Sequence, residues 1–335
     1  MKVIIPVAGV GSRLRPHTHT QPKALVPVAG KAILGHIIDG LIEAQVTEFV
    51  FIIGYLGNKI EQYIKDKYTD KGLKIEFVVQ PEPREGIAHA LYAARHAIAG
   101  DSEVLITLGD TIVNMDFQKI LQSEYSTIGI KKVEDPSLFG VAELDKEGWI
   151  KRMVEKPVIP KSNLALVGIY KINNPKLLIE GASYLLDHQH KTHGEYHLTD
   201  ALMYMVEKGE KIQVVEVDNW YDCGRGDSLL ETNSILLNKP EFKTNKKHNF
   251  PNTIIIPPVS IGANCKIERS IIGPNVAIGD NTIIKSSIIE HSIVGSFSEL
   301  SDTVLSRSII GNDTSIAGHG NSINVGDNTE LNFNA

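Results

Sequence analysis

An α/β unit followed by a parallel β-helix is the fold class this sequence predicts, and three observations predict it. From residue 1 to about 237, apolar strand-like runs alternate with helical segments, the pattern of βαβ crossovers on a mostly parallel sheet. Residues 239–252 are polar, rich in Lys and Asn, with Pro240 and Pro251 near the two ends, and read as a linker. Beyond them the aliphatic residues recur every five or six positions. That period suits neither an α-helix nor a flat strand; it suits a β-helix with three short sides per coil. The expected division is 1–238, a linker over 239–252, and a β-helix over 253–335.

In chain order, the apolar runs predict strands at 3–7, 49–53, 75–79 and 104–108, with helices at 31–44, 58–67 and 86–99 between them. After residue 126 strand candidates crowd together at 127–133, 141–144, 149–154 and 165–172, which predicts an inserted, more antiparallel region. In the last third, Ile261, Ile267, Ile272, Ile278, Ile284, Ile289, Val294, Leu300, Leu305, Ile310 and Ile316 hold one phase, and Gly often follows, as in Ile278-Gly279 and Ile310-Gly311. Ordinary hairpins do not keep a phase through eleven successive positions. Residues 261–316 should make a little over three coils.

Composition narrows the function classes. The 335 residues include 34 Lys and Arg against 40 Asp and Glu, a formal charge of −6. A net acidic chain lacks the positive field that non-specific coating of nucleic acid or an anionic membrane requires. Hydrophobic residues make up 42%, enough for a substantial core. The two cysteines, Cys223 and Cys265, argue against a disulfide framework and for a reducing cytosol. The N-terminus turns Gly-rich before a signal-peptide core forms, and no apolar run approaches the ~20 residues of a membrane helix. A cytoplasmic protein with no membrane or nucleic-acid partner is expected.

In parallel α/β sheets ligands bind beyond the carboxyl ends of the strands, so the loops after Val7, Val79 and Leu108 should share one edge. Residues 1–38 carry five basic side chains (Lys2, Arg13, Arg15, Lys23, Lys31) and no acid before Asp39. This excess surrounds the loop Ala8-Gly9-Val10-Gly11-Ser12-Arg13. Small residues there let backbone N–H groups approach phosphate oxygens while Arg and Lys supply charge. Two named phosphate loops fail. The dinucleotide fingerprint needs a third Gly where Leu14 stands, and a Walker loop before Gly30-Lys31 needs Gly at Leu25.

The chain continues Arg13-Leu14-Arg15-Pro16 and Gln21-Pro22-Lys23-Ala24-Leu25-Val26-Pro27-Val28. Pro16, Thr18, Pro22 and Lys23 stand at the offsets of Gly-x-Gly-[Thr/Ser]-Arg-Leu-x-Pro-x-Thr followed by Pro-Lys-x-Leu-x-Pro-Val. On these residues the sequence resembles the sugar nucleotidyltransferases, or NDP-sugar pyrophosphorylases, and the resemblance covers nearly the whole chain. Gln80 with Gly86-Ile87-Ala88-His89-Ala90 looks like the family's base-reading segment, and Leu108-Gly109-Asp110 like its strand-end acid for Mg²⁺. Phe139-Gly140-Val141 and Glu155-Lys156-Pro157 are similar to the segments that grip the sugar and its phosphate, with Val167-Gly168-Ile169-Tyr170 beside them. Trp220-Tyr221-Asp222-Cys223-Gly224 resembles the Trp-x-Asp-x-Gly element whose Asp completes the metal site. Long-form members end in hexapeptide-like repeats, so the implied architecture is a Rossmann-like, mostly parallel sheet followed by a short left-handed β-helix. The pattern departs in three places. Gln80 to Gly86 is one residue longer than usual. Pro6-Val7-Ala8-Gly9 is closer to UTP–glucose pyrophosphorylases than to most thymidylyltransferases. Cys223 and Arg225 replace frequent Thr residues.

The resemblance implies the reaction of an NTP with a sugar 1-phosphate to give an NDP-sugar and pyrophosphate, with Mg²⁺ as cofactor. Glucose-1-phosphate thymidylyltransferase is the foremost reading; UTP–glucose-1-phosphate uridylyltransferase and mannose-1-phosphate guanylyltransferase are its rivals. Arg13 would meet the leaving phosphates, Lys23 the α-phosphate and Lys156 the sugar phosphate. Nucleotide contacts would fall to Ala8, Gly9, Gly11, Ser12, Gln80, Gly86 and Gly109, sugar contacts to Gly140, Glu155, Lys156 and Val167, and the metal to Asp110 and Asp222. A phosphate monoester with a second pKa of about 6 is already a dianionic nucleophile, so no general base is called for. Two readings compete: a bifunctional uridylyltransferase/acetyltransferase using His291 or His319, and a non-catalytic regulatory subunit. The segment His188-Gln189-His190-Lys191-Thr192-His193-Gly194-Glu195-Tyr196-His197 offers His193 and His197 as metal ligands if a helix begins early; against this, Gly194-Glu195 with Leu198-Thr199-Asp200 resembles a family helix start. The β-helix, with its flat faces, is expected to assemble a homo-oligomer.

Overall fold

Val3, Ile4 and Ile5 are wholly shielded from solvent, as a strand is at the centre of a sheet covered on both faces. In the computed structural model, which describes residues 1–82, 84–240, 250–318 and 322–332, they lie in β1 (Lys2–Pro6). The chain forms two units: Met1–Val10 with Ile37–Tyr221, and Gly11–His36 with Asp222–Ala335. After β1 come three 3-10 turns and the hairpin of β2 (Pro27–Val28) and β3 (Lys31–Ala32), then α1 (Ile33–Glu43). The helix expected over 31–44 starts two residues late because Lys31 and Ala32 pair with β2.

The first unit continues with β4 (Glu48–Ile53), α2 (Gly57–Tyr68), β5 (Lys74–Val79), α3 (Ile87–Ala93), α4 (Arg95–Ile98) and β6 (Val104–Thr107). Strands β6, β1, β4 and β5 are neighbours in that order and parallel. On α2 the buried Ile60, Ile64 and Tyr68 recur every four residues, one face of a helix. The helix expected over 86–99 is broken at Ala94 (φ −88°, ψ 10°). There the Arg95 guanidinium donates to the Tyr92 carbonyl at 3.1 Å and stacks 4.6 Å from its ring, satisfying a carbonyl that the break exposes.

Next come β7 (Thr111–Asn114), α5 (Gln118–Leu121), β8 (Ser126–Lys132), β9 (Gly140–Leu144), β10 (Ile150–Glu155) and β11 (Leu164–Ile172). They are followed by α6 (Pro175–Asp187), α7 (Leu198–Glu207), β12 (Ile212–Glu216) and β13 (Asn219–Asp222). The expected antiparallel insertion is present: β11 runs antiparallel to β6, β8 and β9, and β10 to β9. The full sheet has nine strands, and β13 pairs separately with β7. Asn174 starts α6 by accepting from the Leu177 N–H at 3.1 Å, with Pro175 in the first turn. Leu91, Ile98, Leu178 and Leu202 pack with Ile4, Val50 and Ile106 in one buried core.

In the second unit, α8 (Gly226–Leu237) precedes the β-helix. Most of the expected linker, and His319, lie outside the described residues. Short strands from Ile254–Ile255 to Glu330–Asn332 stack as three parallel sheets, consistent with a left-handed β-helix. Ile271 pairs with Ile288, and Ile293 with Ile309. The stack begins earlier and ends later than the 261–316 run, because Ile255 before it and Val325 and Leu331 after it join the same core. Of the eleven phased aliphatics, ten are buried and Ile261 is partly so.

The glycines that follow them have a physical cause. A Cβ on Gly279 would stand 2.5 Å from the Ser296 nitrogen, and one on Gly311 2.4 Å from that of Asp327. Both lie below any tolerable contact, so the coils stack only where no side chain intervenes. Carboxylate and amide oxygens tie the same edge: Ala263 N–H donates to Asp280 at 2.6 Å, Ser296 N–H to Asn312 at 2.8 Å and Asn312 N–H to Asp327 at 2.7 Å. Asn264, Asn281, Asp302 and Asp313 turn corners in the left-handed region, which Asn and Asp tolerate best after Gly. Buried hydroxyls span successive coils, as where Ser298 donates to the Gly311 carbonyl at 2.9 Å.

Gly311→Ala should therefore lower thermal stability by about 1–3 kcal/mol through overpacking. Gly100→Ala, whose new methyl meets no atom within 4 Å, should leave it unchanged. Calorimetric melts of the two variants check this.

Candidate functional site

In the first unit the loops after β1, β5 and β6 do share the carboxyl edge of the parallel strands. Val7 N–H donates to Ile52 O at 2.8 Å, Tyr55 N–H to Ala8 O at 3.1 Å and Gln80 N–H to Ile53 O at 2.8 Å. Gly109 sits so close to β1 that a Cβ would meet Val7 Cγ1 at 2.2 Å. Gly9 differs, since a Cβ there meets nothing within 4 Å. Packing does not require that glycine; close approach of a ligand to the backbone would.

Gln80, buried at the end of β5, has its amide Nε2 held by Glu82 O at 3.1 Å, Gly86 O at 3.2 Å and His89 Nδ1 at 3.0 Å. The donors of the side chain are spent on its own loop, which turns the carbonyl Oε1 into the group offered elsewhere. Gly86 (φ +96°) holds the loop, because a Cβ would lie 2.5 Å from the Tyr196 carbonyl oxygen. Tyr196 in turn donates its N–H to Glu85 O and accepts from Ala88 N–H.

A second cluster surrounds Glu155, the last residue of β10. Thr199 Oγ1 donates to its Oε2 at 2.8 Å, while His197 Nδ1 lies 3.7 Å and Lys156 Nζ 3.5 Å from its Oε1. Gly140 pairs with Glu155 across the sheet; a Cβ on it would stand 3.1 Å from the carboxylate and 3.3 Å from Thr199 Oγ1. Lys156 takes φ +42° and donates its N–H to Phe139 O at 3.0 Å. Asp110, in the turn between β6 and β7, accepts from Thr111 Oγ1 at 3.2 Å. Burial, and then the charges of Glu155 and Asp110, push the Tyr170 hydroxyl far above its usual pKa, so it stays protonated. Val167 is buried with its side chain toward Gly129.

Sequence reasoning did not foresee the Thr199 and His197 contacts. The helix-start motif was visible, yet its partner lies 44 residues away. Helix α7 begins at Leu198, with His197 only capping it, so His193 and His197 do not share a helical face. His197 Nε2 and Trp220 Nε1 are buried without a hydrogen-bond partner among the described residues.

The second unit holds Gly11, Ser12, Arg13, Lys23 and Asp222. Ser12–Leu14 and Lys23–Leu25 are single 3-10 turns, with Ser12 and Arg13 exposed. Gly11 adopts φ +62°, and a Cβ would meet Lys23 Cβ at 2.9 Å and Thr18 Cγ2 at 3.0 Å. Thr18 Oγ1 donates to the Gly11 carbonyl at 2.8 Å. The Gly loop and the lysine segment are thus packed together. Asp222 accepts the Gly224 N–H on Oδ1 at 2.9 Å, a turn that needs glycine because a Cβ would sit 2.7 Å from that oxygen.

Asp110 in the first unit and Asp222 in the second are each of the donor type magnesium takes, a carboxylate completed by phosphates and water. Among the described residues no group of three or more His, Cys, Asp or Glu side chains could cage a metal.

A family model described as nucleotidyl transferase matches residues 2–239. The low-salt glycan biosynthesis nucleotidyltransferase Agl11 of Haloferax volcanii is 34% identical over 72% of this chain and 68% of its own. The bifunctional protein GlmU of Methanocaldococcus jannaschii is 36% identical over 76% of this chain, which spans only 59% of that relative. A glucose-1-phosphate thymidylyltransferase of Streptomyces antibioticus is 30% identical over 91% of this chain and 81% of its own. Among solved structures, a Bacillus anthracis chain assigned as a glucose-1-phosphate thymidylyltransferase, crystallised with sucrose, superposes with a TM-score of 0.61 at 27% identity, covering 75% of this chain and 97% of that one.

Gly86→Ala should destabilise the protein by a few kcal/mol, on the order of the ~1–3 kcal/mol that forced packing costs. Gly9→Ala should melt like the parent. Parallel thermal melts separate the glycine that packing demands from the one it does not.

Proposed function

The chain belongs to the nucleotidyl transferase family, and on that premise we propose that it joins dTTP and glucose 1-phosphate, giving dTDP-glucose and pyrophosphate. The observation that supports this reading is the close approach of the Lys23 Cβ to Gly11, which brings the lysine segment against the glycine loop. Relatives of this chain bear the names of sugar-1-phosphate nucleotidyltransferases. For the base, the spent donors of Gln80 favour a partner with a ring N–H to give to Oε1. Thymine and uracil have one at N3 and guanine has one at N1, whereas cytosine and adenine have none on that edge.

The chemistry asked of the protein is electrostatic. A sugar phosphate dianion attacks the α-phosphorus while pyrophosphate departs, so two polyanions must meet and charge must spread over non-bridging oxygens. In this reading Lys156 holds the sugar phosphate, Lys23 the α-phosphate and Arg13 the leaving phosphates. Gly140 and Glu155 bind sugar hydroxyls, with Val167 contributing backbone. Thr199 keeps the Glu155 carboxylate in one orientation, which a group accepting from a sugar needs. Ala8, Gly9, Gly11, Ser12, Gly86 and Gly109 line the nucleotide. Magnesium, held by Asp110 and Asp222, would supply Lewis-acid charge to the phosphates.

A bifunctional acetyltransferase is the weaker reading: of its two candidate histidines, His291 occupies a β-helix corner at φ +47° and His319 lies outside the described residues. The free cysteines favour a cytoplasmic location, and no helix among the described residues is long and apolar enough to cross a membrane. The β-helix faces are proposed to form a homo-oligomer.

A panel crossing four NTPs with glucose, mannose, galactose and glucosamine 1-phosphates, read by pyrophosphate release, tests the reading. The largest kcat/KM is expected with dTTP and glucose 1-phosphate; activity confined to GTP with mannose 1-phosphate would replace it. Lys23→Ala and Asp222→Ala should each lower kcat by about 10²–10³-fold, the usual loss when one preorganised charge stabiliser is removed, with unchanged melting curves. Light scattering of the purified chain should give a multiple of 36.8 kDa; a fully active monomer would refute the assembly role.

A further inference from the structure

Within the second unit, residues 16–30 lie against one face of the β-helix and are fastened at both ends. At the last coil, His17 Nε2–H donates to Asn324 Oδ1 at 2.6 Å, and Thr20 Oγ1–H donates to the Asp327 carboxylate. Gly326 is in van der Waals range of the Pro16 ring, since a Cβ added there would stand 3.0 Å from it. At the first coil, Gly30 (φ +78°) abuts Ser260, whose Oγ a Cβ would meet at 2.3 Å. Between these ends, Ala29 N–H donates to Asn233 Oδ1 at 2.8 Å, and the Asn233 amide donates to the Asn275 carbonyl at 3.1 Å. Ser260, Asn324 and their neighbours belong to the same five-stranded sheet of the β-helix. Its four spacings make a bed about 19 Å long.

The bonds at the last coil are unlike ordinary surface contacts. His17 is buried, and burial outweighs both the Asn324 bond and the Asp327 charge to push its pKa below 6.5, so the neutral ring donates through Nε2. Asp327 serves two masters: one oxygen accepts the Asn312 N–H from the coil beneath, and the other accepts from Thr20. Loop and coil are therefore tied through a single carboxylate. Arg13 and Lys23 lie on either side of the fastened stretch 16–20, and Lys23 packs on Gly11.

We propose that the terminal coil of the β-helix is a positioning element for the cation-bearing loop, with Asn324 and Asp327 as positioning residues that hold His17 and Thr20 and, through them, the backbone that presents Arg13 and Lys23. This rests on the catalytic reading of those two cations. The β-helix then has a role in each subunit's chemistry apart from any assembly. Because well-oriented groups lose up to about 10²-fold in rate for a 1 Å misplacement, weakening the fastening should act on turnover rather than on the sugar phosphate.

The test uses the full-length protein as Thr20→Val, Asn324→Ala, the double variant, and Thr20→Ser as a conservative rescue. Steady-state kinetics and amide hydrogen exchange are measured on each. The double variant should lose about 10- to 100-fold in kcat while its KM for sugar 1-phosphate stays within about twofold, consistent with an orientation effect. Amides of residues 11–25 should exchange faster, those of Ile289 and Leu305 should not, and Thr20→Ser should restore both readouts. Parental kcat with faster loop exchange would overturn the positioning role, as would faster exchange throughout the β-helix strands, which marks a merely structural fastening. Should the parent transfer no nucleotide in any substrate pair, the catalytic reading fails by itself. The exchange arm still decides the fastening, and unchanged exchange at 11–25 would overturn it.

Discussion

Close approach of main chain, at positions where a Cβ cannot be accommodated, is the constraint on which this structure depends. Gly109 lets the β6 loop lie under Val7, Gly86 lets the loop after β5 meet Tyr196, Gly11 admits Lys23, and Gly224 folds the Asp222 carboxylate onto the backbone. The β-helix repeats the device at Gly262, Gly279, Gly295 and Gly311, where each coil rests on the next through bare backbone. In every case the glycine converts sequence separation into atomic contact. Its entropic cost, about 0.5–1 kcal/mol in regular structure, is offset by the hydrogen bonds and core contacts that the approach allows.

Electrostatic arrangement follows from that geometry. The parallel strands β1, β4, β5 and β6 bring their carboxyl ends to one edge, and acids cluster there on the first unit, with Asp110 and Glu155 both close enough to act on Tyr170. Two like charges near a buried hydroxyl are unfavourable unless each is held and partly neutralised. Glu155 is held by Thr199, with His197 and Lys156 at hand. The basic stretch of residues 11–36 belongs to the second unit with Asp222.

The β-helix is more than an appendage in this arrangement. Its period produces a rigid stack with aliphatics inside and hydroxyl ladders between coils, and one of its faces carries the segment that includes His17 and Thr20. A loop of small residues is intrinsically mobile. Bedding it on the β-helix through Asn324, Gly326 and Asp327 confines it.

The sequence by itself determined whatever depends on local repetition. The alternation of strand and helix, the antiparallel insertion after residue 126 and the phased aliphatics of the β-helix were legible because burial imposes a period on neighbouring residues. The signature residues around Gly11 and Lys23 were legible as a string, and so was the helix start at Leu198-Thr199-Asp200. Only the tertiary structure decided that Thr199 holds Glu155, that Gln80 spends its donors on its own loop, that the helix after Gly86 breaks at Ala94, and that His17 and Thr20 reach Asn324 and Asp327, 307 residues onward. Such pairings leave no period in the sequence, since a single contact between distant segments constrains two positions and nothing between them. Their existence is settled when the chain closes on itself and each buried polar group must find a partner.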